Sequence, residues 1–387
     1  MKERIRLFYR NIFFTPKPLP PGNFHAVSQT DDGAPLRLHL RIEKDGEGIL
    51  ILNASTILHL NPTATEIVYH MIRQTPDEEI ISEFGKRYQI DPETATNDIS
   101  EFKERLHTLI HTPDLDPEVF LDVSRVDPHS HSLSAPLRLD CALTYQMSDG
   151  SLSHYAPADR VTRNLDTSEW FQIIDKAWQA GIPHVVFTGG EPTIRPDLHE
   201  LIQKSESLGQ VTGLITDGLR FTEKGYLHKL LQSGLDHVMF VLLPDEDQSW
   251  EALRDVMMED IFVTTHLTLT RRSYASLVSI FDKLKKIGVK SLSISSDSVE
   301  TKEIFPVAQR KAAEYGFSLV WDLPVPYSAN NPIEHELENA NIKIDGAGKT
   351  WLYIEPDGDV LPGQGINKVL GNFLNDSWES IWLKASS

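Results

Sequence analysis

Three residues with donor side chains follow a predicted strand at close spacing. Leu137 to Tyr145 read as an apolar strand, and Met147, Ser151 and His154 follow it in a polar loop. A thioether, a hydroxyl that stays protonated at neutral pH and a single imidazole form a weak, mismatched donor set. The loop therefore does not predict a strong metal site.

Other potential ligands are equally sparse. Cys141 is the single cysteine, so the chain has no disulfide and no site with several thiolates, and its place on the strand predicts a buried side chain. His129 and His131 form a His-x-His pair within a segment rich in proline and serine, which we expect to be a linker. We expect no bound metal.

A second chemical element is the turn Thr188 to Pro192, which follows the predicted strand HVVFT. Gly189 and Gly190 allow another group to approach the backbone closely, and the Glu191 carboxylate can accept hydrogen bonds from an ammonium group. The same residues could equally form a purely structural turn, and both interpretations stay open at this stage.

Regular alternation of strands and helices positions these elements. Repeated units of this length predict a parallel sheet with outer helices, and the first strand is followed by no glycine fingerprint for nucleotides, so we favour a full or partial barrel. The predicted strands read LRLDCALTY, HVVFT, VTGLIT, HVMFVLL, FVTTHLTLT and SLSIS.

The N-terminal part has a different pattern. Three alternating segments, LRLHLRIE, GILILN and STILHL, predict strands, and three amphipathic helices follow, with Asn61 and Asp91 as N-caps. This order predicts a small α+β domain with a winged-helix-like fold.

Composition limits the possible partners. The net charge of -19, from 37 basic and 56 acidic residues, disfavours nucleic acid and anionic membranes. The sequence has no run of 18 apolar residues and no recognisable signal peptide, so we expect a cytoplasmic location.

The second part of the chain resembles the radical S-adenosylmethionine (radical SAM) family through Leu139, Leu143, Thr144, Tyr145 and the G-G-E-P turn. The resemblance implies three cluster cysteines where this chain has Met147, Ser151 and His154. It also implies a vestigial SAM-binding site at Gly189, Gly190, Glu191 and Pro192. Near the C-terminus, WDLPVPYS and EPDGDVLPGQG resemble the SPASM or twitch extension, whose cysteine positions are implied to be Ser328, Asp345 and Gly363.

The N-terminal domain resembles the PqqD-like family of recognition elements for ribosomally made and modified (RiPP) peptides, through its strands and LNPTATEI. The resemblance implies that a leader peptide adds as a strand beside the third strand and rests on the third helix. The implied peptide-binding residues are Thr56, Leu58, Leu60, Phe102, Leu106 and Leu109.

Together these features predict an α/β protein built on a partial (βα)6 TIM-like barrel. We expect a recognition domain over 1–115, a linker over 116–136, the barrel over 137–322 and a degenerate extension over 323–387. The leading hypothesis is a non-catalytic pseudoenzyme that lacks an iron-sulfur cluster, binds a precursor peptide and can pair with an active radical SAM protein. Two alternatives remain: an enzyme that keeps SAM or nucleotide binding for non-radical chemistry, with His154 or Tyr155, and a protein-binding adaptor.

Overall fold

A computed structural model describes most of the chain. The described residues are 19–29, 35–52, 56–112, 133–152, 156–157, 160–161, 163–298, 301, 303–320 and 346–385. The chain divides into two compact units, Met1–Ser130 and His131–Ser387. His129, His131, His154, Tyr155, Ser328 and Asp345 lie outside the described residues.

The first unit is a four-stranded antiparallel sheet followed by three helices. Its strands pair in the order β1-β2-β3-β4, which places β4 at an edge. The strands are β1 (Gly22–Gln29), β2 (Pro35–Ile42), β3 (Gly48–Leu52) and β4 (Thr56–Leu60). The last three were predicted, whereas β1 was not, because its half-exposed, polar sequence has no apolar run and its structure depends on pairing along β2.

Three helices follow this sheet along the chain. They are α1 (Pro62–Ile72), α2 (Asp77–Tyr88) and α3 (Pro92–His111). Asn61 and Asp91 accept hydrogen bonds from the backbone at the starts of α1 and α3, which confirms both predicted caps. Leu106 and Leu109 of α3 join strand leucines in one buried core.

The second unit contains a ten-stranded sheet. Its central strands lie side by side in chain order and are parallel, as the alternation predicted. They are β5 (Arg138–Ala142), β6 (His184–Thr188), β7 (Val211–Thr216), β8 (His237–Val241), β9 (Phe262–Leu269) and β10 (Ser291–Ser296).

Short strands extend both edges of this sheet. β11 (Ser318–Leu319) pairs with β10, and β12 (Trp351–Ile354) pairs in parallel with β5. β13 (Asp359–Leu361) and β14 (Gly371–Asn372) continue from β12 as antiparallel strands. The C-terminal hairpin is therefore part of the same sheet as the entry strand β5.

Helices in this unit connect the strands and pack on one face of the sheet. They are α4 (Thr167–Ala180), α5 (Leu198–Leu208), α6 (Tyr226–Gln232), α7 (Asp247–Met257), α8 (Arg271–Ala275), α9 (Leu277–Ile287), α10 (Phe305–Glu314) and α11 (Trp378–Ala385). Among the described residues, none of the helices has the length and apolar character needed to span a bilayer.

The two faces of this sheet bury different residues. Leu139 and Cys141 of β5 lie in the large core shared with the helices, which confirms that Cys141 is buried. Burial also raises the pKa of the Cys141 thiol well above its ordinary value. Because side chains alternate along a strand, Val186, Ile215 and Met239 face the opposite side, where they form a separate buried cluster.

Candidate functional site

The loop after β5 is a tight turn. The Met147 amide donates to the Ser151 carbonyl at 2.8 Å, and the Gly150 amide donates to the Met147 carbonyl at 2.8 Å. The Asp149 carboxylate accepts from the Ser151 amide at 2.9 Å and from its hydroxyl at 2.6 Å. Backbone and carboxylate hydrogen bonds therefore hold together two of the three predicted ligand positions.

The two glycines of the G-G-E-P turn run directly against this loop. The Gly190 amide donates to the Thr144 carbonyl at 2.7 Å, and the Glu191 amide donates to the Gln146 carbonyl at 2.8 Å. A Cβ atom would lie 2.2 Å from the Thr144 carbonyl oxygen at Gly189 and 2.3 Å from the Gln146 carbonyl oxygen at Gly190. Both glycines are therefore required by backbone packing within the chain.

Glu191 lies at the centre of the site and is 1 % exposed. Its Oε1 accepts from the Thr193 amide at 2.8 Å, the Thr193 hydroxyl at 2.5 Å and the Thr216 hydroxyl at 2.7 Å. Its Oε2 accepts from the Asp217 amide at 2.8 Å. The carboxylate thus joins the end of β6 to the end of β7 through four internal donors.

A second carboxylate adjoins the first. Burial and, to a lesser extent, the charge of Asp217 raise the pKa of Glu191 to about 8. Asp217 accepts a hydrogen bond from the Ser148 hydroxyl, so this residue ties the end of β7 to the loop after β5. The site is a network of internal hydrogen bonds.

The residues present do not fit the two groups that the predicted family uses. A [4Fe-4S] cluster requires thiolates, and the chain offers Met147, Ser151 and His154 at the loop positions and one buried thiol elsewhere. Glu191, the side chain that would meet a SAM ammonium, is already held by donors of this chain, with three hydrogen bonds to Oε1 and one to Oε2. Pro192 is buried and begins a single turn of 3-10 helix.

A further buried carboxylate connects β5 to the C-terminal hairpin. Glu355 accepts from the Tyr145 hydroxyl at 2.9 Å and pairs with Arg160 at 2.5 Å. Burial raises the pKa of Glu355 to about 7, although Arg160 opposes this shift. Of the three implied cysteine positions of the C-terminal extension, Gly363 lies within the described residues, close to Ala347 and Trp351. Sequence reasoning did not anticipate the contact between Glu355 and Tyr145.

Two histidines that the sequence analysis did not single out meet between strands. His184 Nε2 and His237 Nε2 lie 2.7 Å apart, and Gly213 on the intervening strand β7 leaves the space for the His237 ring. Burial lowers the pKa of His237 to about 4, so one neutral imidazole can donate to the other. The only sequence signal was their shared place at the start of β6 and β8.

Serines at β10 form a related polar group. The Ser293 and Ser295 hydroxyls lie 3.0 Å from Nδ1 and Nε2 of buried His266, respectively. The side-chain alternation of β9 brings His266 beside both hydroxyls.

Several of the predicted peptide-binding residues are core residues. Leu58, Leu60, Leu106 and Leu109 are buried in the first unit, while Thr56 and Phe102 are half-buried. Ile57 is 38 % exposed on the other face of β4. Among the described strands, β4 therefore lies at an edge of the sheet with Ile57 exposed, and its leucines pack in the core.

Comparisons with known proteins agree with this architecture. Residues 141–242 match the family model of the radical SAM superfamily, and residues 48–109 match that of coenzyme PQQ synthesis protein D (PqqD). The chain contains a radical SAM domain and a PqqD domain. The PqqD match covers β3, β4 and most of the three helices, and the radical SAM match runs from the end of β5 through β8.

A curated relative and two solved structures are similar over larger regions. The PqqA peptide cyclase of Methylorubrum populi is 25% identical over 244 residues, which cover 55% of this chain and 61% of the relative. Streptococcus suis SuiB bound to S-adenosylmethionine superposes with a TM-score of 0.55 at 16% identity. SuiB bound to the precursor peptide SuiA superposes with a TM-score of 0.58 at 15% sequence identity. Each of the two alignments covers 92% of this chain and 88% of SuiB. At these identities, the likeness to SuiB shows a shared fold.

Proposed function

We propose that this protein is a non-catalytic pseudoenzyme that binds the leader of a ribosomally made precursor peptide and acts as a recognition or scaffold subunit. The observation that carries this proposal is that the Glu191 carboxylate accepts four hydrogen bonds from groups of this chain. The absence of cysteine at the three loop positions supports the same conclusion.

The peptide half of the proposal rests on the PqqD domain. A relative is named a PqqA peptide cyclase, and SuiB was solved with a precursor peptide. In this chain, β4 is an edge strand of a sheet with a well-formed core. A peptide that adds beside β4 would gain main-chain hydrogen bonds, and exposed Ile57 would contact its side chains.

An active radical SAM protein would supply the chemistry. A subunit without its own cluster can still contribute to modification if it holds the peptide while the partner reacts with it. We propose such a heterodimer as the working assembly, and co-purification with a radical SAM protein encoded beside the gene tests it.

Iron-sulfur reconstitution tests the non-catalytic half. The full chain is treated anaerobically with iron and sulfide, desalted and analysed for iron and for absorbance near ~400 nm. We expect background iron and no absorbance shoulder. A stoichiometry of about four irons per chain would refute the proposal.

Hydrogen exchange tests the peptide half. Short peptides encoded beside the gene are added to the full chain, and amide exchange is followed by mass spectrometry. We expect slower exchange in Thr56–Leu60 and unchanged exchange in Asp77–Tyr88, because strand addition protects only the edge amides. If every such peptide leaves β4 exchange unchanged, the recognition role is wrong.

A further inference from the structure

Two histidines lie one turn apart on the last helix of the first unit. His107 and His111 belong to α3, which ends at His111, and both side chains are exposed. Residues four positions apart lie on the same face of a helix. The two rings are stacked, with their centroids 4.0 Å apart and their planes inclined by 26°. The helix therefore presents two imidazoles at one place on its surface.

A hydrogen bond to the backbone determines which nitrogen of His111 can bind a metal ion. His111 Nδ1 lies 2.7 Å from the His107 carbonyl oxygen. Because a carbonyl oxygen only accepts, Nδ1 carries the proton and Nε2 of the neutral ring carries the lone pair. Metal-binding histidines in proteins have the same arrangement, in which one ring N–H donates to a carbonyl or carboxylate and orients the other nitrogen. His111 thus has the tautomer and the support of a metal ligand.

The histidine pair lines a groove that has room for an ion and its water ligands. The volume of the groove is about 500 Å³, and Leu36, Gln29 and Gln74 are among its other lining residues. Among the described residues, no third histidine, cysteine or carboxylate joins the pair in a set whose ligand atoms all lie within 4.8 Å of one another. Water would therefore complete the coordination, as it does at zinc sites with open positions.

The charge closest to the pair on α3 is compensated. Lys103 lies one turn before His107 and also lines the groove. Its ammonium group pairs with the Asp77 carboxylate at 2.5 Å, which reduces its repulsion of a bound cation. The net charge of -19 favours cations over the whole chain, so a test must separate binding at the two imidazoles from general attraction.

Stabilisation of the helix end is the other role open to these residues. A histidine in the last turn of a helix interacts favourably with the last carbonyls and with the helix dipole, and the hydrogen bond of His111 fits that role. That role requires one imidazole. It does not require a second imidazole stacked on the first and facing the same groove.

We propose that His107 and His111 form a chelating site for a divalent transition-metal ion such as zinc. Imidazole nitrogen suits zinc, copper and nickel, whereas magnesium and calcium prefer oxygen ligands. Two histidines four positions apart on one helix face are an arrangement that binds zinc in proteins. Because both side chains are exposed, their rings can turn from the stack toward one ion. This proposal runs against the expectation from the sequence that no metal is bound, and it is independent of peptide binding.

Zinc titration of the full chain without an affinity tag tests this proposal. The protein is treated with a chelator, desalted and titrated with Zn²⁺ in a calorimeter at neutral and at mildly acidic pH, with Mg²⁺ as the control ion. The test variants are His107→Ala and His111→Ala. The matched control is His228→Ala, which removes an exposed histidine from helix α6, where the residue four positions later is Gln232. Circular dichroism verifies that each variant is folded.

We expect one zinc ion per wild-type chain and a loss of affinity of at least about tenfold in each test variant, since even the loss of a supporting group costs about 10-fold to 100-fold. His228→Ala should bind within about twofold of wild type. Binding should weaken at acidic pH, because an imidazole must be deprotonated to bind a metal. Unchanged zinc binding in both test variants, an equal loss in His228→Ala, or displacement of zinc by equimolar Mg²⁺ would indicate an adventitious ion only and would overturn the proposal.

Discussion

Replacing Glu191 by alanine should lower the free energy of unfolding by about 2 to 4 kcal/mol. The change leaves two buried backbone donors, the Thr193 and Asp217 amides, without their acceptor, and each costs about 1 to 3 kcal/mol. The two threonine hydroxyls can rotate toward other acceptors and are not counted. Removal of a buried carboxyl group whose ionisation burial and Asp217 both oppose offsets part of this cost.

Urea denaturation and calorimetry together test this reasoning. Denaturation of the wild type, Glu191→Ala and the exposed control Glu200→Ala gives the stabilities, and we expect the control to change by less than about 0.5 kcal/mol. Titration with SAM should release no heat in any of the three proteins. A stable Glu191→Ala variant, or SAM binding in wild type that this variant abolishes, would show that the carboxylate serves a ligand.

The pH dependence of Glu191→Gln examines the same carboxylate. Burial, with Asp217 beside it, raises the pKa of Glu191 from 4.5 to about 8 in the folded chain. The folded state therefore holds a proton that the unfolded state releases, so this stabilisation is complete below about pH 4.5 and is lost as pH rises toward 8. Because glutamine does not titrate, we expect the free energy of unfolding of wild type, relative to that of Glu191→Gln, to fall as the pH rises through this window. A rise of this relative stability with pH would show that the folded carboxylate is ionised.

Two further changes test the packing around the site. Gly190→Ala would place a Cβ atom 2.3 Å from the Gln146 carbonyl oxygen, so we expect a loss of about 1 to 3 kcal/mol by urea denaturation, and a smaller loss for Gly22→Ala, whose Cβ meets only a side chain at 3.4 Å. Equal losses would contradict the steric argument. Arg160→Ala removes the cation that pairs with the buried Glu355 carboxylate, so we expect the free energy of unfolding to fall by about 3 kcal/mol. Titration of the carboxylates should also show a further rise of the Glu355 pKa. An unchanged melting curve would count against a structural ion pair.

Local patterns in the sequence were sufficient to predict most of the elements. The six parallel strands, the three N-terminal helices and the caps at Asn61 and Asp91 follow from periodicity and from residue types that act within a few positions. The strand Gly22–Gln29 was not predicted, because it lacks a strong pattern of its own and depends on a partner strand. Its pairing is a tertiary property.

The sequence by itself determined how many thiolates the chain can offer, since no arrangement of one cysteine can supply three. It also marked Gly189 and Gly190 as residues that allow close backbone approach. Only the tertiary structure decided what the site does with its remaining groups. Glu191 accepts hydrogen bonds from the Thr216 hydroxyl and the Asp217 amide, which lie about 25 positions away in the sequence. They reach Glu191 because β6 and β7 are neighbours in the sheet. Hydrogen bonds between sequence-distant groups depend on which strands adjoin, and a local pattern contains no information about that.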